Sequence, residues 1–224
     1  MFKLSQTRML VCDMAGTVIK EKGIVYDALF KTVRLINPNV FRSDINEFYG
    51  CKKSDVISYF VDKQKMNSPD TVKSNLNSEL NYFLKKEYTE NPNVKLIDPN
   101  IPYLFNSLRY HGIKICLNTG YDKIIQELLI DKFDLINCID DYISSQEVTR
   151  GRPYPYMINE LSTRNNITNM EEIIKIGDSV ADIKEGKKAG CKTVGVLSGA
   201  AKKSILEKEN PDFIIDSIMD LKIN

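Results

Sequence analysis

The chain has 224 residues, enough for one α/β domain or for a core with one modest insertion. Its 31 Lys and Arg residues nearly balance 30 Asp and Glu residues, so no overall electric field favours nucleic acid or an anionic membrane. No apolar run approaches the ~20 residues that span a bilayer. The five cysteines are scattered without a CxxC pair, which argues against a thiolate zinc site or a disulfide framework and favours a cytoplasmic location.

The single histidine, His111, excludes sites that need several imidazoles, such as the HExxH zinc site. It precedes Gly112 in the sequence RYHG, where the helical pattern stops. A basic side chain is favourable at the negative end of a helix dipole, and glycine commonly ends helices. We therefore predict that His111 is a helix-terminal residue and not part of a Ser-His-Asp triad.

Short, almost continuous apolar runs alternate with helical patterns along most of the chain. This pattern is typical of parallel strands covered by helices on both faces, as in a Rossmann-like α/β sheet. Such sheets bind ligands beyond the carboxyl ends of their strands. The predicted strands are residues 8–13, 113–118, 141–144, 173–178 and 193–197.

One segment, residues 22–92, interrupts the alternation with helical patterns and no convincing strand. Within it, Ser68 and Pro69 predict an N-cap followed by a proline in the first helical turn. We expect residues 22–92 to form an α-helical cap domain over a core domain of residues 1–21 and 93–224. The hinges should lie near residues 19–23 and 89–98.

Polar groups stand at the ends of several predicted strands and in one further loop. Carboxylates, a hydroxyl, an amide N–H and a cation together suit a Mg²⁺ ion and a phosphoryl group. Each motif alone is common in turns and helix caps, but four of them in this order predict a phosphoryl-transfer site. The residues are Asp13 in DMAGT, Thr119 and Gly120 in NTGY, Arg152 in TRGRPYP, and Asp178 and Asp182 in GDSVAD.

With DMAGT, NTGY, GRPYP and GDSVADIKEGKKAG in this order, the sequence resembles the haloacid dehalogenase superfamily over essentially its whole length. More narrowly, it resembles the phosphonoacetaldehyde hydrolase (phosphonatase) family and its phosphonatase-like relatives. The narrower match is carried by DxAGTV, TGY, GRPYP and IGDSVADIKEGKKAG followed by TVGV. The resemblance implies a Rossmann-like core with an inserted helical cap.

The resemblance also implies a metal-dependent nucleophile. Asp13 would attack phosphorus, and Mg²⁺ would be held by Asp13, the Ala15 backbone carbonyl and Asp178. Asp182 would orient the metal shell.

The remaining roles concern the substrate. By the same resemblance, Thr119 and Gly120 would bind phosphoryl oxygens. Arg152 would offset the charge beside the nucleophile, and Tyr121 would face the cap side of the site.

Ala15 stands where most members of the superfamily have a second aspartate, which acts as general acid and then base. Phosphonatases also have alanine there, because their leaving group is carbon and a cap lysine forms a Schiff base with the substrate. That lysine follows a glycine by three residues, and residues 50–53 (GCKK) reproduce the spacing. Lys53 is therefore the predicted Schiff-base lysine, with Lys52 as the second candidate.

Three functions stay open. The first is cleavage of the C–P bond of a small aldehyde phosphonate, such as phosphonoacetaldehyde. The second is hydrolysis of a small phosphate monoester, and the third is a non-catalytic domain that binds a phosphorylated metabolite or a protein. Tyr49 and Val56 stand where phosphonatases have methionine and histidine. The expected partner is a small phosphonate or phosphate, not nucleic acid or a membrane, and the sequence leaves open whether the chain forms a homodimer.

Overall fold

The computed structural model describes residue 4 and residues 6–222. The strands in this part of the chain are β1 (Met9–Asp13), β2 (Ile19–Lys20), β3 (Lys95–Leu96), β4 (Lys114–Thr119), β5 (Asp141–Ser144), β6 (Ile173–Gly177), β7 (Lys192–Val196) and β8 (Phe213–Ile215). Six of them form one parallel sheet in the order β5-β4-β1-β6-β7-β8.

The helices complete an α/β architecture. They are α1 (Ile24–Arg34), α2 (Arg42–Asn46), α3 (Lys53–Lys63), α4 (Pro69–Glu90), α5 (Ile101–Tyr110), α6 (Lys123–Lys132), α7 (Tyr156–Arg164), α8 (Val180–Ala189) and α9 (Lys203–Glu207). Among the described residues, no helix has both the length and the apolar composition that crossing a membrane requires.

The central strands are buried along their whole length, as their apolar sequences predict. All five residues of β1 and all five of β6 are buried. In the parallel register Asp13 lies beside Asn118, and Cys12 lies beside Ile176. The carboxyl ends of β1, β4 and β6 therefore meet at one edge of the sheet. The predicted Rossmann-like parallel sheet is confirmed, and each of the five predicted strands is present.

The helices α1 to α4 lie between β2 and β3; we call residues 24–90 the helical insert. β2 and β3 pair antiparallel, with Ile19 opposite Leu96, at the two places where hinges were expected. The sequence analysis missed this pair because two residues are too few to show an alternating pattern. The division into a cap domain and a core domain stays a prediction, and residues 1–3, 5, 223 and 224 of the expected core lie outside the described residues.

Two predicted helix ends are confirmed, one with a difference in detail. α4 begins at Pro69 as predicted, but the Ser68 backbone is left-handed (φ 51°) and its side chain makes no capping hydrogen bond. Along α4, leucines 76, 80 and 84 are buried. α5 ends before His111, whose Nδ1 lies 2.8 Å from the Ser107 carbonyl oxygen.

Two glycines mark the place where the helical insert meets the polar edge of the sheet. A Cβ on Gly120 would collide with the carbonyl oxygen of Cys51, and a Cβ on Gly50 would collide with the hydroxyl of Ser179. Gly50 also has φ 79°, a left-handed conformation that L side chains rarely adopt. The Lys53 N–H donates to the Gly120 carbonyl oxygen at 3.2 Å. The loop before α3 therefore rests directly on the core.

Replacing Gly50 by alanine should cost more stability than its backbone angle alone explains. Gly112 has nearly the same φ, 80°, but nothing lies within 4 Å of its Cβ position. We expect Gly112→Ala to lose about 1–2 kcal/mol of unfolding free energy for the left-handed backbone. Gly50→Ala should lose about 1–3 kcal/mol more, because the collision with Ser179 must be relieved. Urea unfolding measures both variants, and equal losses would contradict the close contact.

Candidate active site

One small pocket opens at the carboxyl ends of β1, β4 and β6, and the helical insert covers it. Side chains from the core and from the insert line it together. They are Asp13, Ala15, Thr119, Gly120, Tyr121, Arg152 and Asp178 from the core, and Val25, Tyr26, Gly50 and Lys53 from the insert. Every predicted site residue except Asp182 therefore lies in this pocket. Asp182 lies behind it, in contact with Arg152.

Arg152 is the cation beside the predicted nucleophile. Its Nη1 lies 2.7 Å from Asp13 Oδ1 and 3.0 Å from Asp182 Oδ1. Its Nη2 donates to the backbone oxygen and the Oδ1 of Asn118, at 2.8 and 2.9 Å. Burial alone would lower the pKa of Arg152, but the carboxylates of Asp182, Asp13 and Glu185 outweigh burial and raise it. The guanidinium is therefore a fixed positive charge.

A second buried cation, Lys175, was missed by the sequence analysis. It lies in the middle of β6 and donates to Asn118 Oδ1 at 2.6 Å, and its Nζ lies 2.9 Å from Asp182 Oδ1. Glu185 accepts from Asn118 Nδ2 at 2.9 Å and pairs with Arg152 Nε at 3.2 Å. The sequence did contain a signal, because a lysine inside an apolar strand covered on both faces needs buried partners.

Three carboxylates meet near the pocket: oxygens of Asp13, Asp178 and Asp182 lie within 4.8 Å of one another. Asp182 is already engaged, because its Oδ2 accepts from the Ser179 hydroxyl at 2.5 Å and its Oδ1 faces Arg152 and Lys175. Burial would raise the pKa of Asp182, but these two cations outweigh burial and lower it. The carboxylates that face the pocket for a metal are therefore Asp13 and Asp178.

Asp178 is held by backbone groups of the loop after β7, a second feature that the sequence analysis missed. The Ala200 N–H donates to Asp178 Oδ2 at 2.5 Å. A Cβ on Gly16 or Gly199 would collide with the Asp178 carboxylate, so only glycine fits at either position. Burial raises the pKa of Asp178 well above its usual range, and the negative charge of Asp13 raises it further.

The balance of buried charge fits a divalent cation. Among the described residues, the Asp13 carboxylate and the three buried carboxylates around it share ion pairs with only two buried cations, which leaves two negative charges without a buried counterpart. The carboxylates are Asp13, Asp178, Asp182 and Glu185, and the cations are Arg152 and Lys175. Burial also raises the pKa of Asp13, against the opposing effect of Arg152. A Mg²⁺ ion beside Asp13 and Asp178 would favour the charged form of both carboxylates.

Lys53, the first residue of α3, brings an amine to the opposite wall of the pocket. It is only 5% exposed, and its Nζ donates to the Cys51 carbonyl oxygen at 2.8 Å. The aromatic rings of Tyr26 and Tyr121 lie 5.5 and 5.6 Å from Nζ. Burial lowers the pKa of Lys53 below the usual lysine value. Lys52 does not line the pocket, so the structure favours Lys53 of the two candidates.

The pocket therefore contains two chemical halves. The core half offers the Asp13 carboxylate, the Arg152 cation and hydrogen-bond donors for a phosphoryl group. The insert half offers an amine with a lowered pKa, Lys53, beside the aromatic rings of Tyr26 and Tyr121. Ala15 supplies no side-chain acid between the two halves.

Comparison of the sequence and the fold with known proteins identifies the family of this chain. The sequence model of haloacid dehalogenase-like hydrolases matches residues 10–196. A phosphonoacetaldehyde hydrolase of Bacillus cytotoxicus is 36% identical over 103 residues, which cover 46% of this chain and 39% of that protein. The match thus spans about two fifths of the length of this relative.

Solved structures agree on the fold. A phosphonoacetaldehyde hydrolase-like protein from Oleispira antarctica has a TM-score of 0.78 at 20% identity, covering 99% of this chain and 92% of its own. A predicted phosphoglycolate phosphatase from Haemophilus somnus has a TM-score of 0.76 at 16% identity, covering 96% of each chain. These two likenesses concern the fold alone. Because the family match extends from β1 to the end of β7 and so includes every core residue of the pocket, the chain belongs to the haloacid dehalogenase-like hydrolases.

Proposed function

We propose that this hydrolase cleaves the C–P bond of a small aldehyde phosphonate such as phosphonoacetaldehyde. The observation that supports it most is the position of Lys53, a buried amine with a lowered pKa in the same pocket as Asp13. The Ala15 side chain has no proton to give a leaving oxygen. A carbon leaving group explains both the buried Lys53 amine and the missing acid at Ala15, because an iminium formed from the amine would accept the electrons of the C–P bond.

The proposed reaction begins with the aldehyde. The Lys53 amine adds to the carbonyl carbon, and loss of water gives an iminium ion. A carboxylate oxygen of Asp13 then forms a bond to phosphorus while the C–P bond breaks, and its electron pair enters the iminium to give an enamine. Protonation of the enamine carbon and hydrolysis release acetaldehyde and the amine. A second water molecule cleaves the aspartyl phosphate to phosphate and the Asp13 carboxylate.

The core half of the pocket would bind the phosphoryl group during every step of this reaction. The Thr119 hydroxyl and the Gly120 N–H would donate to its oxygens, and Arg152 would hold Asp13 in place. Mg²⁺, held by Asp13, the Ala15 carbonyl and Asp178, would offset the negative charge between carboxylate and phosphoryl group.

The free volume of the pocket is only about 10 Å³, so we expect the helical insert to move when a substrate enters. Once closed, it would exclude water from the iminium. Val25, Tyr26 and Tyr121 line this space beside Lys53 and carry no charge, which suits a short carbon chain without a second charged group. This supports a substrate with few carbon atoms.

A phosphate monoester is the second candidate substrate. The core half of the pocket is suited to either reaction, and the fold resembles the Haemophilus somnus protein described above. A monoester leaving group needs a proton, however, which the Ala15 side chain cannot give and which Lys53 could donate. The two substrates are distinguished by assaying acetaldehyde from phosphonoacetaldehyde beside phosphate from a monoester panel.

Asp13→Asn should lower phosphate release by about 10³–10⁴-fold, because an amide is a poor nucleophile. Removal of Mg²⁺ by EDTA should abolish activity, and added Mg²⁺ should restore it. Asp70→Asn, on a side chain that is 98% exposed, is the matched control and should keep the wild-type rate. Wild-type turnover by Asp13→Asn, or in excess EDTA, would contradict the assignment.

Lys53→Arg should lose acetaldehyde production while the protein stays folded, because arginine keeps the charge but cannot form an imine. The loss should reach about 10³-fold. Lys52→Arg is the matched control, since Lys52 lies outside the pocket and should tolerate the change. If Lys53→Arg still cleaves the phosphonate, the Schiff-base assignment is wrong. If the wild type releases phosphate from monoesters but not from the phosphonate, the chain is a phosphatase and not a C–P hydrolase.

The rate of Schiff-base formation should rise with pH through the pKa of Lys53, because only the neutral amine attacks. Burial lowers this pKa, so the rise should be centred below the usual lysine value. Borohydride inactivation in the presence of phosphonoacetaldehyde, measured across pH, gives the profile. A rise centred at the pKa of an ordinary exposed lysine would show that Lys53 is not desolvated when it reacts.

A further inference from the structure

A buried chain of polar groups leads away from the pocket and is not used by the steps above. Glu21, directly after β2, is 6% exposed, and Tyr88 near the end of α4 is fully buried. The Tyr88 hydroxyl donates to Glu21 Oε2 at 3.0 Å. The hydroxyl oxygens of Tyr88 and Tyr121 lie 2.5 Å apart. Tyr121 lines the pocket, so the chain joins the pocket to a carboxylate.

The direction of these hydrogen bonds follows from the number of protons. Tyr88 has one hydroxyl proton and gives it to Glu21, so the short contact with Tyr121 must be donated by Tyr121. The oxygen of Tyr121 is then left to accept a proton. Burial raises the pKa of both tyrosines well above their usual range, so each stays protonated and can pass a proton on.

Glu21 is suited to receive that proton. Its Oε1 accepts from the Gly23 N–H at 3.1 Å and its Oε2 from the Val25 N–H at 2.8 Å, which fixes the carboxylate. Burial raises the pKa of Glu21, against these hydrogen bonds and the positive charge of Lys53. The titratable groups facing it are Tyr26 from α1, Tyr49 after α2, Lys53 from α3, Tyr88 from α4 and Tyr121 after β4.

The far end of the chain also reaches solvent. Glu21 lines a second pocket of about 230 Å³, together with the exposed residues Lys20 and Lys22. A proton held on Glu21 can therefore exchange with water in this second pocket.

Schiff-base formation needs such an acceptor for a short time. Overall, an ammonium ion and an aldehyde give an iminium ion and water, with no net gain or loss of protons. The ammonium must nevertheless lose a proton before its nitrogen can attack, and a proton must return when the hydroxyl leaves as water. Asp13 is committed to phosphorus and paired with Arg152. Val56, one turn after Lys53 on α3, is apolar and cannot accept a proton.

We propose that Glu21 holds the proton of Lys53 while the amine attacks the aldehyde. The proton reaches Glu21 through the hydroxyls of Tyr121 and Tyr88, so Glu21 acts as a positioning residue without touching the substrate. Tyr121 accepts a proton from the ammonium, its own proton passes to Tyr88, and the proton of Tyr88 passes to Glu21. The reverse transfers return the proton to the departing hydroxyl, which leaves as water. This inference rests on the proposed Schiff-base function.

The test is the rate at which borohydride traps Lys53 with phosphonoacetaldehyde in single-turnover mixing. Glu21→Gln keeps the size of the side chain but cannot hold the proton, and Tyr88→Phe interrupts the chain while keeping Glu21. Both should slow trapping by about 100-fold near neutral pH, the usual scale of general acid–base catalysis. In both variants, but not in the wild type, the rate should then rise with the concentration of formate buffer, which replaces the lost acceptor.

Matched controls lie on exposed positions of α4: Glu79→Gln and Tyr82→Phe should trap at the wild-type rate. Circular dichroism and Mg²⁺ binding show whether each variant is folded. If Lys53 is trapped in the wild type and equally fast in both folded variants, the relay is wrong and the proposed function stands. Slow trapping without any response to formate would assign the residues a purely structural role and also overturn the relay. If the wild type gives no trapped Lys53, the proposed function itself fails.

Discussion

The guanidinium of Arg152 is the contact on which the arrangement of the pocket depends. One side chain pairs with Asp13 at the end of β1 and donates to Asn118 on β4. It also pairs with Asp182 and Glu185 on α8. Leaving any of these carboxylates without its cation would cost several kcal/mol, because a buried charge would lose its partner. Asp13, two strands and a helix are therefore held in one geometry by one residue.

The same guanidinium reaches the helical insert, since its Nη1 donates to the Gly50 carbonyl oxygen at 3.4 Å. Gly50 in turn gives its N–H to the hydroxyl of Tyr26 at 3.0 Å. Three residues further on, Lys53 enters the pocket. In this structure these contacts place the charge network of the core and the amine of the insert around one pocket. Closure would complete the pocket and exclude water in the same movement.

Two buried cations face the same pocket with opposite properties, and their surroundings explain the difference. Arg152 is surrounded by carboxylates, so its pKa is raised and its charge is permanent. Lys53 is surrounded by aromatic rings and a carbonyl oxygen, so burial prevails and its pKa is lowered. A fixed charge suits the stabilisation of a phosphoryl group, and a removable proton suits a nucleophilic amine. The proposed division of labour follows from this contrast.

The sequence predicted what depends on short motifs and missed what depends on distant contacts. Asp13, Thr119 and Asp178 were expected at one edge because parallel strands bring their carboxyl ends together, and the register of the sheet places them there. Glu21 and Tyr88 are 67 positions apart, and no local pattern connects them. The partners of a buried residue such as Lys175 likewise depend on which elements pack together, which is settled by the whole fold.

The central claim is that Lys53 and Asp13 act on one substrate molecule. Mass spectrometry of the enzyme after treatment with phosphonoacetaldehyde and borohydride tests it directly. We expect an ethyl group on Lys53 in the wild type, because the C–P bond breaks while the substrate is attached to the amine. In Asp13→Asn the same lysine should carry a phosphonoethyl group, because the iminium forms but phosphorus is not attacked. No modification of Lys53, or an ethyl group on Lys53 in Asp13→Asn, would contradict the account.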